Sequence, residues 1–200
     1  MSSCKSCFER LPNFYTPKVY TLELYPNAKE STFQGLVTIS MTLSECTKQF
    51  ILNAKKLEVV NAKIKTSDFE LAASEKAIEY DDEQEKLTIN FDATISKGEI
   101  DLTLKYKGIM ADDMHGFYRS TTKNDDGKES IILATQFEST FARRAFPCFD
   151  EPAKKAIFRI SIVAPDHLAV LSCMWSGVEL VLPKDSIFTK LCYHDSNNYK

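Results

Sequence analysis

The clearest signal of secondary structure in this chain is the alternating stretch Phe33-Gln34-Gly35-Leu36-Val37-Thr38-Ile39-Ser40-Met41-Thr42-Leu43. Its odd-numbered positions are apolar or small, and its even-numbered positions are polar except for Leu36. Because successive side chains of a strand point to opposite faces of a sheet, this period of two predicts a long strand with one buried face.

Similar patterns recur on both sides of this stretch and predict further strands. Alternating or short apolar runs lie at 19–24, 49–52, 57–65, 87–91, 100–106, 130–137, 158–162 and 168–172. Polar turn segments such as Asp81-Asp82-Glu83-Gln84 separate them, and no window of about a dozen residues has the 3.6-residue period of a helix. Many short strands joined by turns predict an all-β fold, an antiparallel β-sandwich.

Composition argues against several classes of function. The chain has 200 residues, of which 44% are hydrophobic and 26% charged, which is typical of one globular domain with an appendage. Its net charge of −3 provides no basic excess for nucleic acid. No apolar run approaches the roughly 20 residues that span a bilayer, and the first residues lack the apolar core of a secretion signal. We therefore expect a cytoplasmic protein without nucleic-acid or membrane partners.

The cysteines and histidines do not form a recognisable site. Cys4-x-x-Cys7 could supply half of a zinc site, but no second pair with ligand spacing follows. The three histidines are far apart in sequence, and none belongs to a helical zinc motif. We predict no catalytic residue, no metal ligand and no cofactor in this chain, and in the reducing cytosol no disulfide.

The segment at 135–152 is the least strand-like part of the chain. It reads Thr135-Gln136-Phe137-Glu138-Ser139-Thr140-Phe141-Ala142-Arg143-Arg144-Ala145-Phe146-Pro147-Cys148-Phe149-Asp150-Glu151-Pro152. This run closely resembles the signature of the gluzincin zinc aminopeptidases, the family of puromycin-sensitive aminopeptidase and aminopeptidase N. Supporting matches occur upstream in the same order, at Leu11-Pro12, Pro17, Tyr20, Phe33-x-Gly35, Tyr106-x-Gly108 and Gly116-Phe117-Tyr118-Arg119-Ser120. The resemblance covers 11–174.

The resemblance implies a saddle-like β-sandwich, which in that family lies over a thermolysin-like catalytic domain. It also implies that Gln136 and Glu138 reach the active site, where the carboxylate binds the free α-ammonium of a peptide. Such an ammonium titrates near pH 8, so a carboxylate can form a charge-assisted hydrogen bond with it at neutral pH. From periodicity alone, Gln136 and Glu138 would be ordinary polar residues on the exposed face of a strand.

Other residues of this segment have a structural interpretation. Adjacent opposite charges at Arg143, Arg144, Asp150 and Glu151 are typical of a braced loop, and Cys148 is expected to be a buried small side chain. Phe146 and Phe149 are expected to pack. The phenylalanines at 137, 141, 146 and 149 together also predict an apolar surface that lacks its cover in the isolated chain.

The predicted organisation is a flexible N-terminus at 1–10, the sandwich domain at 11–174 and a divergent tail at 175–200. The family's H-E-x-x-H zinc helix and Gly-x-Met-x-Asn loop are not found. We therefore expect the N-terminal domain of a zinc aminopeptidase, which is inactive alone. We expect it to bind peptide N-termini as part of a full-length enzyme or together with a catalytic domain supplied in trans. The alternative function is a standalone interaction module derived from an aminopeptidase. The alternative to an uncovered aromatic surface is that the tail folds back, with Val178, Leu180 and Leu182 replacing a missing strand and Trp175 covering the aromatic rings.

Overall fold

The computed structural model describes residues 10–123, 125–165 and 168–172, together with the backbone of 176–177 and 188–193. Within these residues the chain forms strands and two short 3₁₀ turns, at Glu75–Ala77 and Ala142–Arg144. The strands, in chain order, are β1 (Tyr15–Asn27), β2 (Thr32–Leu43), β3 (Thr47–Asn53), β4 (Leu57–Lys65), β5 (Glu70–Ala72), β6 (Ile78–Asp81), β7 (Lys86–Ile95), β8 (Gly98–Ile109), β9 (Gly116–Lys123), β10 (Glu129–Gln136), β11 (Ile157–Pro165), β12 (Ser176–Gly177) and β13 (Phe188–Tyr193).

The strands form one large sheet, one small sheet and a separate hairpin. The large sheet has the order β12-β13-β11-β1-β2-β8-β4-β5, the small sheet has the order β3-β7-β6, and β9 pairs with β10. Neighbouring strands are antiparallel except for β1 and β11, which are parallel. Buried side chains of the large and small sheets belong to one hydrophobic core, in which Tyr15 of β1 stacks on Phe50 of β3. These features confirm the predicted all-β sandwich.

The period of two in the sequence is reflected in the burial of the strands. In β2 the odd-numbered positions are buried, while the even-numbered ones are exposed or half-buried. The strand predicted at 57–65 coincides with β4. The strand predicted at 168–172 is wrong, because Leu171 is 90% exposed and these residues have no regular structure. The N–H of Leu168 donates to the carbonyl of Pro165, the last residue of β11.

Two glycines of the large sheet leave space for aromatic rings on the neighbouring strands. Gly35 lies opposite Tyr106, and Phe33 lies opposite Gly108, in the register of β2 with β8. A Cβ at Gly35 would lie 2.2 Å from the Tyr106 ring, and one at Gly108 would lie 2.3 Å from the Phe33 ring. The Tyr106 hydroxyl then donates to the carbonyl of Ala145 at 3.0 Å. The Gly35–Tyr106 pair therefore helps to attach the segment at 135–152 to the large sheet.

The large sheet continues into the region predicted as a divergent tail. The backbone of β13 pairs antiparallel with β11, from Ile160 opposite Tyr193 to Pro165 opposite Phe188. The predicted roles of Trp175, Val178, Leu180 and Leu182 concern positions outside the described residues, and so do residues 1–9 of the flexible N-terminus predicted at 1–10. The boundaries of the domain at 11–174 stay a prediction.

Candidate functional site

The candidate residues Gln136 and Glu138 lie at the end of β10 and in the turn that follows it. Gln136 is the last residue of β10 and pairs with Gly116, the first residue of β9. The N–H of Phe141 donates to the carbonyl of Phe137 at 2.9 Å, which closes a turn over 138–140. All three residues of this turn are exposed, and the peptide bond between Glu138 and Ser139 is cis. We call 138–140 the Glu138 turn.

The side chains of Gln136 and Glu138 are free to meet a ligand. Both are exposed. Within the described part of the chain, neither the Glu138 carboxylate nor the Gln136 amide has a hydrogen bond or an ion pair. A carboxylate can accept several hydrogen bonds, so Glu138 retains its full accepting capacity for a cation or an N–H donor.

Aromatic contacts hold both ends of the Glu138 turn. Before the turn, the Phe137 ring packs edge-on against Phe146, with 5.8 Å between the ring centroids. After it, the Phe141 ring lies 4.0 Å from the ring of His115. The turn is therefore exposed at its tip and attached to the body of the domain at its base.

The charged residues beyond the turn are used within the fold. Arg143 is buried, with 4% of its surface exposed. Its Nε donates to Asp150 at 2.9 Å, and its Nη1 donates to Glu85 at 3.1 Å. Glu85 also pairs with Lys55. This network confirms the predicted bracing role of Arg143 and Asp150.

The ion pairs with Lys55 and Arg143 lower the pKa of the Glu85 carboxyl. Partial burial by itself would raise the pKa of this carboxyl. The hydrogen bonds and positive charges of Lys55 and Arg143 outweigh that effect, so the pKa of Glu85 lies below its usual value. Glu85 is therefore held as a carboxylate by the two cations.

Residues distant in sequence fix the backbone of this segment. Asn53 and Cys148 exchange two backbone hydrogen bonds, at 2.8 and 3.0 Å. The Asn53 side chain accepts from the N–H of Asp150, and Glu151 accepts from the N–H of Leu11. The sequence interpretation missed Lys55, Asn53 and Glu85, because no local pattern near them indicates contact with a segment so far along the chain.

The predicted uncovered phenylalanine surface is wrong for two of its four members. Phe146 and Phe149 are buried, 3% and 4% exposed, and their rings pack near Tyr20 and Tyr15. The expectation that these two residues pack is thus confirmed. Phe137 and Phe141 are half-buried. Core contacts within the domain itself cover most of this aromatic group.

Cys148 has the burial predicted for it. The thiol is buried among the aromatic side chains, and burial raises its pKa well above the ordinary value. Because the reactive form of cysteine is the thiolate, this position does not provide a nucleophile.

An open cleft of about 280 Å³ lies beside the Glu138 turn. The residues that line it include Phe146, Phe158 and Lys155, and also Ser139 of the turn. Gln136 and Glu138 do not line it. The candidate recognition site is therefore an exposed turn and not a closed pocket.

The resemblance implies a zinc ion, which needs a set of protein ligands. Among 10–123, 125–165 and 168–172, no group of three or more His, Cys, Asp or Glu side chains is arranged to bind a metal ion. The donor sets of zinc sites contain at least three such side chains, so these residues do not fit the ion. In the same part of the chain, no helix is long and apolar enough to cross a membrane.

Comparison with known proteins identifies relatives over most of the chain. Puromycin-sensitive aminopeptidase of Caenorhabditis elegans is 39% identical over 167 residues, which are 84% of this chain and 18% of that protein. Endoplasmic reticulum aminopeptidase 1 of Rattus norvegicus is 35% identical over 80% of this chain and 18% of its own length. Aminopeptidase M1 of Arabidopsis thaliana is 39% identical over 82% of this chain and 19% of its own length.

Each of these matches covers most of this chain but only a small part of the relative. The chain spans less than a fifth of the length of each of these relatives. The family model of the peptidase M1 N-terminal domain matches residues 16–190, which include the Glu138 turn and the first half of β13. On the strength of that match and these relatives, the chain belongs to the peptidase M1 N-terminal domain family.

Proposed function

We propose that this domain binds the free amino terminus of peptides, through Glu138 and Gln136, as part of an aminopeptidase. The observation that carries the proposal is the exposed carboxylate of Glu138, which has no partner among the described residues, on a turn held at both ends by aromatic contacts. The names of the relatives support the reaction class, since each is an aminopeptidase.

The chemistry of the amino terminus explains why a carboxylate suits this task. An α-ammonium is mostly protonated at neutral pH, and its N–H groups donate charge-assisted hydrogen bonds to a carboxylate. An internal peptide bond or an acetylated terminus carries no such charge. Glu138 would therefore select chain ends, while the Gln136 amide, which both donates and accepts, would orient the neighbouring polar groups.

Peptide hydrolysis itself we assign to a catalytic domain, in the same polypeptide or supplied in trans. The support is the size of the relatives, since the matched region is 18% of the C. elegans enzyme. Zinc, which the resemblance implies for the full-length family, would belong to that domain, and we expect no hydrolysis by the present residues alone. The cytoplasmic location stays a prediction of the sequence, because one relative is named for the endoplasmic reticulum.

An NMR titration of the whole chain tests the recognition role. The ligands are alanyl-alanine amide and its N-acetylated form, and the resonances followed are the backbone amides of 136–141, which the wild type and the variants share. We expect weak binding of the free amine, with a dissociation constant in the millimolar range or above, and none of the acetylated peptide. Glu138→Gln should abolish the preference.

The matched control is Glu129→Gln, which alters an exposed glutamate at the other end of β10. This variant should bind like the wild type. Equal binding of the free and acetylated peptides by the wild type would contradict the proposed function.

The alternative is a standalone interaction module with this fold. It is favoured by the pairing of β13 with β11, which extends the large sheet into the region predicted as a tail. A chain that unfolds cooperatively but does not prefer the free amine in the titration would support this alternative.

A further inference from the structure

A cluster of four side chains joins the loop between β8 and β9 to the base of the Glu138 turn. Nη1 of Arg144 donates to Oδ2 of Asp113 at 2.6 Å. The His115 ring lies 4.0 Å from the Phe141 ring, and the guanidinium carbon of Arg144 lies 5.3 Å from the centroid of that ring. Phe141, the residue that closes the turn, is therefore in contact with both His115 and Arg144. We call these four residues the Asp113 cluster.

The backbone of β9 reaches the same place. Gly116 has φ +72, and a Cβ built on it would lie 2.5 Å from Cβ of Arg144 and 3.2 Å from the carbonyl oxygen of Phe141. Gly116 is also the partner of Gln136 in the hairpin. The start of β9 thus touches the residues after the Glu138 turn and pairs with the residue before it.

The Asp113–Arg144 pair differs from the ion pairs that brace the core. The Asp113 side chain is 40% exposed and that of Arg144 is 15% exposed. Because the Asp113 end is exposed to solvent, this pair should contribute less to the free energy of unfolding than the pairs of the buried Arg143. Within the described residues, the Arg144 side chain donates a hydrogen bond to Asp113, while its Nε has no partner. The main physical effect of the pair is therefore to fix the guanidinium against the Phe141 ring.

We propose that Arg144 and Asp113 are positioning residues, which hold Phe141 and through it the Glu138 turn in the orientation in which Glu138 meets a peptide α-ammonium. The proposal rests on the function proposed above, and extends it to residues that do not touch the ligand. The ion pair fixes Arg144, while Arg144 and His115 fix the Phe141 ring. The hydrogen bond from the Phe141 N–H to the Phe137 carbonyl then fixes the turn.

The test uses the 200-residue chain and the variants Asp113→Asn, Arg144→Lys and Asp112→Asn. Asp112→Asn is the matched control, because Asp112 is the exposed neighbour of Asp113 and has no partner within the described residues. Three quantities are measured for each protein: the urea midpoint, amide hydrogen exchange at Phe141, whose N–H donates to the Phe137 carbonyl, and the affinity for alanyl-alanine amide.

For Asp113→Asn we expect an almost unchanged urea midpoint, amide exchange at Phe141 faster by about tenfold, and affinity lower by about fivefold. Arg144→Lys keeps the charge but loses the planar guanidinium over Phe141, so its affinity should be intermediate. Asp112→Asn should match the wild type in all three measurements. A role confined to stability would change the midpoint and leave the affinity of the folded protein unchanged.

The outcomes separate this proposal from the proposed function. Should the wild type prefer the free amine while Asp113→Asn binds it equally well, with unchanged exchange, the positioning role is wrong and the proposed function stands. An equal effect of Asp112→Asn would also overturn it, because a general loss of negative charge would then be the cause. A wild type without any preference for the free amine refutes both.

Discussion

The two halves of the segment that follows β10 use their charged side chains in opposite ways. In the first half, the exposed Glu138 has no partner within the described residues. In the second half, Arg143 is buried and its guanidinium is shared between Asp150 and Glu85. A charged residue in the second half serves the fold, whereas the charge in the first half is available to a ligand.

The difference follows from how each half is attached to the domain. The second half contains buried aromatic side chains such as Phe146, and its backbone pairs with Asn53. The first half is held at its base, by the Phe137 and Phe141 rings, and its tip has no side-chain contact of this kind in the described structure. The second half is therefore a rigid support, and the first half is a short turn presented to solvent.

The largest effect is expected from Arg143→Ala. The substitution removes a buried cation and leaves Asp150 and Glu85 without their shared partner. Breaking a partly or fully buried ion pair on one side typically costs about 3–5 kcal/mol of unfolding free energy. Urea denaturation at neutral pH measures the loss.

A matched control for this variant is Arg159→Ala, at an exposed position of β11. It should change the free energy of unfolding by no more than about 0.5 kcal/mol. Arg143→Lys, which keeps one positive charge but not the fork of donors, should fall between the two. A similar loss in both alanine variants would show that Arg143 does not brace the segment.

The sequence predicted the strands better than the contacts between them. Alternation in β2 and β4 is a local consequence of burying one face, so it can be read directly from neighbouring residues. The run at 168–172 has the apolar composition of a strand, but a strand also needs a partner, which composition does not specify. In the structure residues 168–172 belong to no strand.

The residues of the candidate site were predicted less completely than the strands. Arg143 and Asp150 attracted attention as opposite charges in one segment, but Glu85 is 58 positions away from Arg143 and no local pattern links them. Gln136 and Glu138 were singled out by the family resemblance. Their exposure in the structure is compatible with that role and equally with the ordinary surface position that the alternation alone predicts.

A smaller effect is expected from acid, through Glu85 in the second half. Its pKa is lowered in the folded protein, because the ion pairs with Lys55 and Arg143 outweigh partial burial, so the folded state binds fewer protons than the unfolded chain. The resulting stability is complete above the unfolded pKa, near 4.3, and is lost as pH falls through the folded value. The free energy of unfolding should decrease between about pH 5 and pH 3.

Glu85→Gln tests the source of this pH dependence. The variant cannot titrate at this position, so its free energy of unfolding should fall less over the same pH range than that of the wild type. Glu83→Gln, at an exposed position in the turn before Glu85, should keep the wild-type dependence. An identical acid response in all three proteins would assign the effect to other carboxylates.

The smallest effect on stability is expected from Glu138→Gln. Removing this charge leaves no buried partner uncompensated, because the carboxylate has no hydrogen bond or ion pair within the described residues. We expect a change in unfolding free energy within about 0.5 kcal/mol, measured by urea denaturation beside Arg143→Ala. A loss above about 1 kcal/mol would place Glu138 among the bracing residues. The contrast between the two halves of the segment would then disappear, and with it the reason for regarding this carboxylate as free to bind a peptide amino terminus.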